Sequence, residues 1–125
     1  VARIAAGKAD TIELGNLDSQ RDWGFAGDFV EAMWMMLQAE EPVDYVCATG
    51  ETNTVRELCR VAFDAAGFDN WERYVVSSQK YIRPAELDYL RGDSSILQQE
   101  LDWKPRVNFE QLISMMVAQD IRRHT

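Results

Sequence analysis

The sequence has little of the raw material that metal and thiol chemistry need. Its 125 residues include one histidine, His124, and two cysteines, Cys47 and Cys59. A His-based metal centre or a Cys/His catalytic pair therefore lacks the residues it requires, and we predict no metal site. We predict that both cysteines are small buried side chains in a reducing compartment, with a disulfide as the alternative.

Long apolar runs and basic clusters are also missing. No run approaches the roughly 20 apolar residues that a membrane span requires, and no signal-peptide pattern follows Val1. The net charge of −8, from 21 acidic and 13 basic residues, argues against a basic surface for nucleic acid. We therefore expect neither a nucleic-acid nor a membrane partner. A phosphate ligand is still possible, because one or two arginines can bind a diphosphate inside an acidic protein.

The remaining composition, 46% hydrophobic and 27% charged, is that of a globular domain with a modest core. Alternation predicts a strand over residues 11–14, and an apolar run bounded by Pro42 and Gly50 predicts one over 45–49. We expect a further short strand over residues 74–76. Capping signals predict helices, a strand followed by a capped helix being the unit of an α/β fold. We expect a first helix over residues 1–7, ending at Gly7, and a second from Asp28 to about 38. A third should run from a Thr54–Glu57 capping box to Gly67, and a short fourth should begin at Asp93. The fifth should begin at an Asn108–Gln111 capping box, with Leu112, Met115 and Val117 on its apolar face.

The predicted helix over residues 28–38 is apolar nearly all round, with Glu31 as its main polar interruption. A helix at the surface shows a single apolar stripe, so we expect this one to be covered on more than one side. The covering layer is expected from upstream sequence, since we interpret the chain, which starts at Val1 within a helix, as a piece of a longer protein. The alternative is a Met-rich face that binds a partner.

An arginine follows the first predicted strand in the stretch GNLDSQRDWG, residues 15–24. The planar guanidinium of Arg21 can bind phosphate oxygens, and Gly15 lets a ligand approach the backbone closely. The alternative is a structural turn in which Arg21 and Asp22 pair with their neighbours. These residues alone leave both interpretations open.

A second arginine lies in YIRPAELDYLRGD, residues 81–93. Pro84 holds Arg83 in an extended conformation, and Glu86, three residues on, can accept hydrogen bonds from a base or sugar. A solvated turn is again the alternative. The later stretch LDWKPRVNF, residues 101–109, is interpreted as structural, because Pro105 stops one helix and Asn108 starts the next.

Together these segments resemble the GDP-mannose 4,6-dehydratase family of the extended short-chain dehydrogenases/reductases. The resemblance rests on GNLDSQRDWGFAGDFVEAMWMMLQ, RPAELDYLRGD and LDWKPRVNFEQL, and it spans essentially the whole chain. It implies an α/β fold, the C-terminal part of an NAD(P)-binding Rossmann-type enzyme with its smaller sugar-nucleotide-binding domain. Residues of about 22–50 would complete the Rossmann layer, about 51–125 would form mainly the substrate domain, and the N-terminal Rossmann segment would be absent.

The resemblance also implies an activity and a site. The family converts GDP-mannose to GDP-4-dehydro-6-deoxymannose by NADP-dependent internal redox and loss of water, in GDP-fucose and deoxysugar biosynthesis, as a cytoplasmic homo-oligomer. Gly15, Asn16 and Arg21 match the segment that meets the nucleotide and diphosphate. Arg83 and Glu86 match a second clamp near the diphosphate and guanosine.

The parts of such an enzyme that carry out the redox chemistry cannot be assigned. No Gly-rich dinucleotide fingerprint occurs, and no Tyr is followed four residues later by Lys. The resemblance puts the catalytic residues and the NADP site upstream, so we predict a chain that is inactive alone, marginally stable, and at most a binder of GDP-mannose. Two alternatives are another sugar-nucleotide epimerase or dehydratase of the superfamily, and a free-standing interaction domain.

Overall fold

The computed structural model describes residues 1–124, which form helices, short strands and two 3₁₀ turns in mixed order. The helices are α1 (Ala2–Ala5), α2 (Ala26–Met36), α3 (Val55–Ala65), α4 (Ser95–Leu101) and α5 (Phe109–His124). The strands are β1 (Ile12–Leu14), β2 (Gln20–Arg21), β3 (Asn53–Thr54) and β4 (Val75–Ser77), and the 3₁₀ turns are Trp71–Tyr74 and Gln79–Tyr81.

The four strands form two separate pairs. β1 pairs with β4 in parallel, with Ile12 opposite Val75 and Leu14 opposite Ser77. β2 pairs with β3 in antiparallel, with Gln20 opposite Thr54. The predicted strands at 11–14 and 74–76 are thus confirmed, although Tyr74 itself belongs to the preceding 3₁₀ turn.

Both predicted capping boxes are present. The Thr54 hydroxyl accepts from the Glu57 amide at 3.0 Å, and the Glu57 carboxylate accepts from the Thr54 amide at 2.7 Å. Asn108 and Gln111 repeat the arrangement at 2.9 and 3.0 Å. Each box satisfies amides that the first turn of a helix leaves without an intrahelical partner, so α3 and α5 begin where the sequence predicts.

Gly7 and Gly67 end α1 and α3, also as predicted. Both have positive φ, 66° and 83°, a conformation that costs glycine little. In each case the amide of the next residue donates to the carbonyl five residues before it, at 2.8 Å after α1 and 3.0 Å after α3. This is the hydrogen bond that closes a helix C-terminus through a left-handed residue.

Helix α3 lies at the centre of the packing. One of its faces contributes Val61 and Ala62 to a cluster with α5, and the other contributes Cys59 and Phe63 to a cluster with α1 and the Trp71–Tyr74 turn. A third cluster joins α2 and α4 through Ala32, Leu97 and Trp103. Leu97 and Trp103 are almost completely buried in this cluster, at 0% and 1% exposed.

Two predicted helix caps are wrong. Helix α2 begins at Ala26, and Asp28 lies in its first turn, where its carboxylate accepts from the amides of Arg106 and Val107 at 2.9 and 3.1 Å. The N-cap of α4 is Ser94, while Asp93 lies one residue earlier and accepts from the Ser95 amide at 2.9 Å. The Asp28 carboxylate thus binds a distant segment of the chain, whereas Asp93 accepts from the first residue of α4, two positions on.

The predicted strand at residues 45–49 is also wrong. Within residues 1–124 this segment pairs with no strand and has no regular secondary structure. Apolar composition favours an extended conformation, but a strand exists only where a neighbouring backbone accepts and donates its hydrogen bonds.

Helix α2 is not covered on more than one side by the described residues. Val30, Met33, Trp34 and Leu37 are 61%, 60%, 62% and 82% exposed, and they recur at the i, i+3, i+4 and i+7 spacing of one helix face. We call these four residues the outer face of α2. The predicted apolar face of α5 is confirmed for Leu112 and Val117, but Met115 is 44% exposed.

Candidate functional site

The turn after β1 brings Gly15 against a distant backbone. A Cβ on Gly15 would lie 2.5 Å from the carbonyl oxygen of Tyr81, closer than real Cβ atoms approach, so this position requires glycine. The Gly15 carbonyl accepts from the Ser77 hydroxyl at 3.0 Å, and Asn16 Oδ1 accepts from the Asp18 amide at 2.9 Å, which forms an Asx turn. The first predicted site segment therefore packs directly on the chain that leads into the second.

Strand β2 carries Arg21 to the same region. The Gln20 amide donates to the Asp88 carbonyl at 2.7 Å, and the Leu90 amide donates to the Gln20 carbonyl at 3.1 Å. These two bonds attach the stretch after Glu86 to β2 as a short parallel bridge. The chain thus adds one more backbone segment to the β2–β3 pair, beside the predicted phosphate-binding arginine.

Arg21 and Glu86 form an ion pair. The Arg21 Nη2 atom lies 3.1 Å from Glu86 Oε1, and both side chains are about a quarter exposed, at 24% and 25%. Arg21 Nη1 also donates to the carbonyl of Gln20 at 2.8 Å, which fixes the plane of the guanidinium. The carboxylate partner of Arg21 lies 65 positions away in the sequence, so the ion pair joins two separate loops.

Arg83 and its neighbour Pro84 are exposed. Within residues 1–124 the Arg83 guanidinium has no hydrogen-bond or ion-pair partner. The structure therefore brings together Gly15 with the Tyr81 backbone and Arg21 with Glu86, and it leaves Arg83 open to solvent between these contacts along the chain. A guanidinium without a carboxylate partner can bind an anion without first breaking an ion pair.

Asp22 is a residue whose role sequence analysis missed. Its carboxylate accepts four hydrogen bonds: from the amide and hydroxyl of Thr49 at 3.0 and 2.5 Å, from the Gly50 amide at 2.9 Å, and from the Gly92 amide at 3.2 Å. These donors lie 27 to 70 positions from Asp22. No local pattern could have identified them.

Among residues 1–124, neither the shifted pKa values nor the placement of metal-ligating side chains identifies a further functional group. Burial raises the pKa of the Cys47 and Cys59 thiols, and at Cys47 the charge of Asp28 adds to the increase. Both cysteines are free; Cys59 is buried as predicted, whereas Cys47 is only partly buried. The raised pKa values favour the uncharged thiol rather than a nucleophilic thiolate. Within the described chain, no three His, Cys, Asp or Glu side chains are placed to hold a metal ion.

Among residues 1–124 no helix combines the length and the apolar character needed to cross a bilayer.

The comparisons with known proteins agree with one another. A family model described as GDP-mannose 4,6 dehydratase matches residues 1–116. GDP-mannose 4,6 dehydratase 2 of Arabidopsis thaliana is 53% identical over 121 residues, and the human GDP-mannose 4,6 dehydratase is 44% identical over 137. Each alignment covers 97% of this chain but only 32% and 37% of the relative, so the chain spans about a third of the length of these relatives.

Solved structures show the same fold. RMD from Pseudomonas aeruginosa, complexed with NADPH, superposes with a TM-score of 0.85 at 26% identity, covering 98% of this chain and 40% of that one. The UDP-glucose 4-epimerase of Thermus thermophilus, in complex with NAD, gives 0.75 at 27% identity, covering 95% and 37%. The predicted fold class, α/β and part of a Rossmann-type extended short-chain dehydrogenase/reductase, is confirmed.

Proposed function

The chain belongs to the GDP-mannose 4,6-dehydratase family, and we propose that it supplies the sugar-nucleotide site of such an enzyme. The reaction proposed for the whole enzyme is conversion of GDP-mannose to GDP-4-dehydro-6-deoxymannose, through NADP-dependent internal redox and loss of water, on the route to GDP-fucose and related deoxysugars. One observation carries the proposal. The ion pair of Arg21 with Glu86 joins the two segments that the resemblance assigns to one ligand.

Each proposed ligand contact follows from the chemistry of the side chain. Arg21 and Arg83 would bind diphosphate oxygens, since a planar guanidinium matches two oxygens at once. The Oε2 atom of Glu86, which its ion pair with Arg21 leaves out, would accept hydrogen bonds from the guanine base. Gly15 and Asn16 form the turn beside the nucleotide, where a missing side chain permits close approach.

The cofactor contact is proposed for the part of the enzyme that this chain does not span. Two structural neighbours were solved with NADPH and with NAD, which supports a nicotinamide dinucleotide. NADP is the cofactor we propose. Among the residues of this chain we assign none to the cofactor and none to catalysis. The chain's own residues would bind and orient GDP-mannose, and the bound NADP would supply the hydride acceptor.

A division of the chain accompanies this proposal. Residues of about 22–50 would complete the Rossmann layer, and about 51–125 would form mainly the substrate domain. The exposed outer face of α2 lies in the first of these parts and supports the division, because an apolar face of this kind is typical of a helix that packs on another layer. We propose that it contacts the Rossmann sheet of the whole enzyme, rather than an unrelated partner.

We also propose a cytoplasmic homo-oligomer for the whole enzyme. The two free cysteines support the compartment, because thiols persist where glutathione and thioredoxin keep the surroundings reducing.

Base preference tests the proposed function. The chain would be titrated calorimetrically with GDP, UDP and dTDP at one ionic strength, because phosphate contacts are sensitive to salt. We expect GDP to bind at least about tenfold more tightly than UDP, the size of a difference of about 1.4 kcal/mol. UDP binding that equals or exceeds GDP binding would favour a UDP-sugar enzyme of the same superfamily and overturn the proposal. No turnover of GDP-mannose is expected from the chain alone.

A further inference from the structure

We propose that Asp22 is a positioning residue that holds the two halves of the nucleotide site at a fixed separation. The inference rests on the proposed function, because it concerns the placement of Arg21 relative to Glu86. Asp22 itself would touch no ligand. Its carboxylate instead connects its own backbone segment to two others that are distant in the sequence, at Thr49–Gly50 and at Gly92.

Arg21 is the last residue of β2, and Asp22 follows it directly. The two side chains bind different partners. The Arg21 guanidinium meets Glu86, whereas the Asp22 carboxylate meets the Thr49–Gly50 turn and the Gly92 amide. A displacement of the Asp22 anchor would therefore move the Cα of Arg21 and redirect its guanidinium.

The segment that carries Glu86 is held at two places, to β2 and to Asp22 directly after it. The Gln20 amide donates to the Asp88 carbonyl and the Leu90 amide donates to the Gln20 carbonyl, and these two bonds hold the middle of the segment. The Gly92 amide, donating to Asp22 at 3.2 Å, holds its end. Loss of the second attachment would leave residues 81–92 tied to β2 through the short bridge and the Arg21–Glu86 ion pair alone.

The packing around Gly92 shows that this anchor is tight. A Cβ at Gly92 would lie 2.1 Å from the Cβ of Ala48, so only a glycine lets this backbone approach residues 48–50. Asp22 accepts from amides on both of the approaching segments, Gly50 and Gly92. The Asp22 carboxylate therefore stabilises the close contact between these two segments. A residue larger than glycine at position 92 would prevent that contact.

Neutralising the Asp22 carboxylate would disrupt this arrangement without removing volume. The Asp22→Asn side chain keeps one acceptor oxygen but turns an NH2 group toward amide donors. Hydrogen bonds to a charged acceptor are the stronger ones, and a buried donor left without its partner carries the full cost of desolvation. We expect GDP affinity to fall about tenfold or more.

The test compares Asp22→Asn with two control variants in the complete 125-residue chain. Asp18→Asn removes one charge from the same loop, where the carboxylate is exposed and paired with Arg56. Asn108→Ala removes the cap of α5 and lowers stability away from the nucleotide loops. GDP titration and hydrogen exchange without ligand are measured on all four proteins, the wild type included.

The expected result is weaker GDP binding and faster exchange at the Leu90 amide in Asp22→Asn alone. Leu90 reports on the attachment to β2 without being a partner of Asp22. GDP affinity within twofold of wild type would overturn the proposal, and so would an equal loss in Asn108→Ala, which would indicate a general effect of stability. If wild type does not bind GDP, the proposed function is wrong, and unchanged Leu90 exchange in Asp22→Asn then separately overturns the positioning role.

Should Asp22→Asn fail to fold, Thr49→Val provides a milder version of the test. It removes the hydroxyl that donates to Asp22 at 2.5 Å and keeps the Thr49 amide and the side-chain volume. We expect a smaller loss of GDP affinity, about threefold, with faster Leu90 exchange. Wild-type values of both would contradict the proposal.

Discussion

Arg21 Nη2 lies 3.1 Å from Glu86 Oε1, and this ion pair connects two loops that are 65 residues apart in the sequence. Both side chains are about three-quarters buried, so solvent screens the pair less than it screens an exposed one. Each of these two predicted binding residues is thus the partner of the other. A nucleotide that binds here would meet a carboxylate already oriented by an arginine.

Replacing Glu86 by glutamine should weaken guanine recognition more than diphosphate binding. The amide keeps one acceptor but adds donors that face the donor groups of guanine, so we expect the preference for GDP over UDP to fall about tenfold. Calorimetric titration of the Glu86→Gln chain with both nucleotides measures this. The exposed Glu72 on the Trp71–Tyr74 turn offers a matched control, Glu72→Gln. A preserved GDP preference in Glu86→Gln would rule out the assigned contact with the base.

Replacing Asp28 by asparagine should destabilise the fold. Asp28 is 5% exposed, and one of its carboxylate oxygens accepts from both the Arg106 and Val107 amides, so the variant keeps an acceptor but loses the charge that strengthens both hydrogen bonds. We expect a loss of about 1–3 kcal/mol in the free energy of unfolding, measured by urea denaturation. Asp10→Asn, at an exposed position, should change it by less than about 0.5 kcal/mol. Equal values for the two variants would show that the Asp28 contacts contribute nothing.

Glutamates introduced on the outer face of α2 should reduce self-association of the chain without changing the stability of its fold. Trp34 and Leu37 are 62% and 82% exposed, so Trp34→Glu with Leu37→Glu should change the stability of this chain by less than about 0.5 kcal/mol. Sedimentation should also show less self-association, because a large exposed apolar patch favours association. Gln38→Glu, next to the same face, is the charge control.

The same two glutamates would test the proposed contact with the Rossmann layer. A chimera can be made in which this chain replaces the matching third of the Arabidopsis relative. We expect the paired glutamates to abolish its dehydratase activity, since charge buried against an apolar layer is costly, while Gln38→Glu leaves the activity intact. Full activity of the paired variant would show that the outer face stays exposed in the whole enzyme.

Acid should weaken the start of α4 through Asp93. Hydrogen bonds from the backbone and side chain of Ser95 lower the pKa of the Asp93 carboxyl from its ordinary value of 3.8. A group whose pKa is lowered by folding stabilises the fold above its unfolded pKa, and this contribution is lost as the pH falls through the folded value. The Asp93→Asn chain should therefore lose less stability than wild type as the pH falls below about 4. Urea midpoints across this range, with Asp69→Asn as an exposed control, measure the difference; parallel curves would contradict it.

The parts of the fold that could be predicted are those with local causes. A capping box needs two residues three positions apart, as in Thr54 with Glu57, and a glycine closes a helix through hydrogen bonds within one turn. Residues 45–49 show the limit of such reasoning. Their apolar composition favours an extended conformation, but it does not determine whether another strand lies beside them. Asp28 shows a second limit. Its position near a helix start was visible, but its partners lie 78 and 79 residues away.

The candidate site divides in the same way. Arg21 and Glu86 were each identifiable as chemically suitable residues, yet their mutual ion pair depends on how β2 and residues 81–92 pack. Asp22 escaped sequence analysis for the same reason, since its donors come from Thr49, Gly50 and Gly92. The family resemblance assigns the two loops to one ligand, and the structure shows that the loops contact each other through the Arg21–Glu86 ion pair.

Hydrogen exchange of the chain with and without GDP-mannose tests the central claim most directly. If the two loops form one sugar-nucleotide site, amides in residues 15–22 and in residues 81–92 should gain protection together, over the same range of ligand concentration. Asn108 and its neighbours at the start of α5 should keep their exchange rates. Protection confined to one loop, or located on another surface, would contradict the assignment of Arg21 and Glu86 to a single ligand.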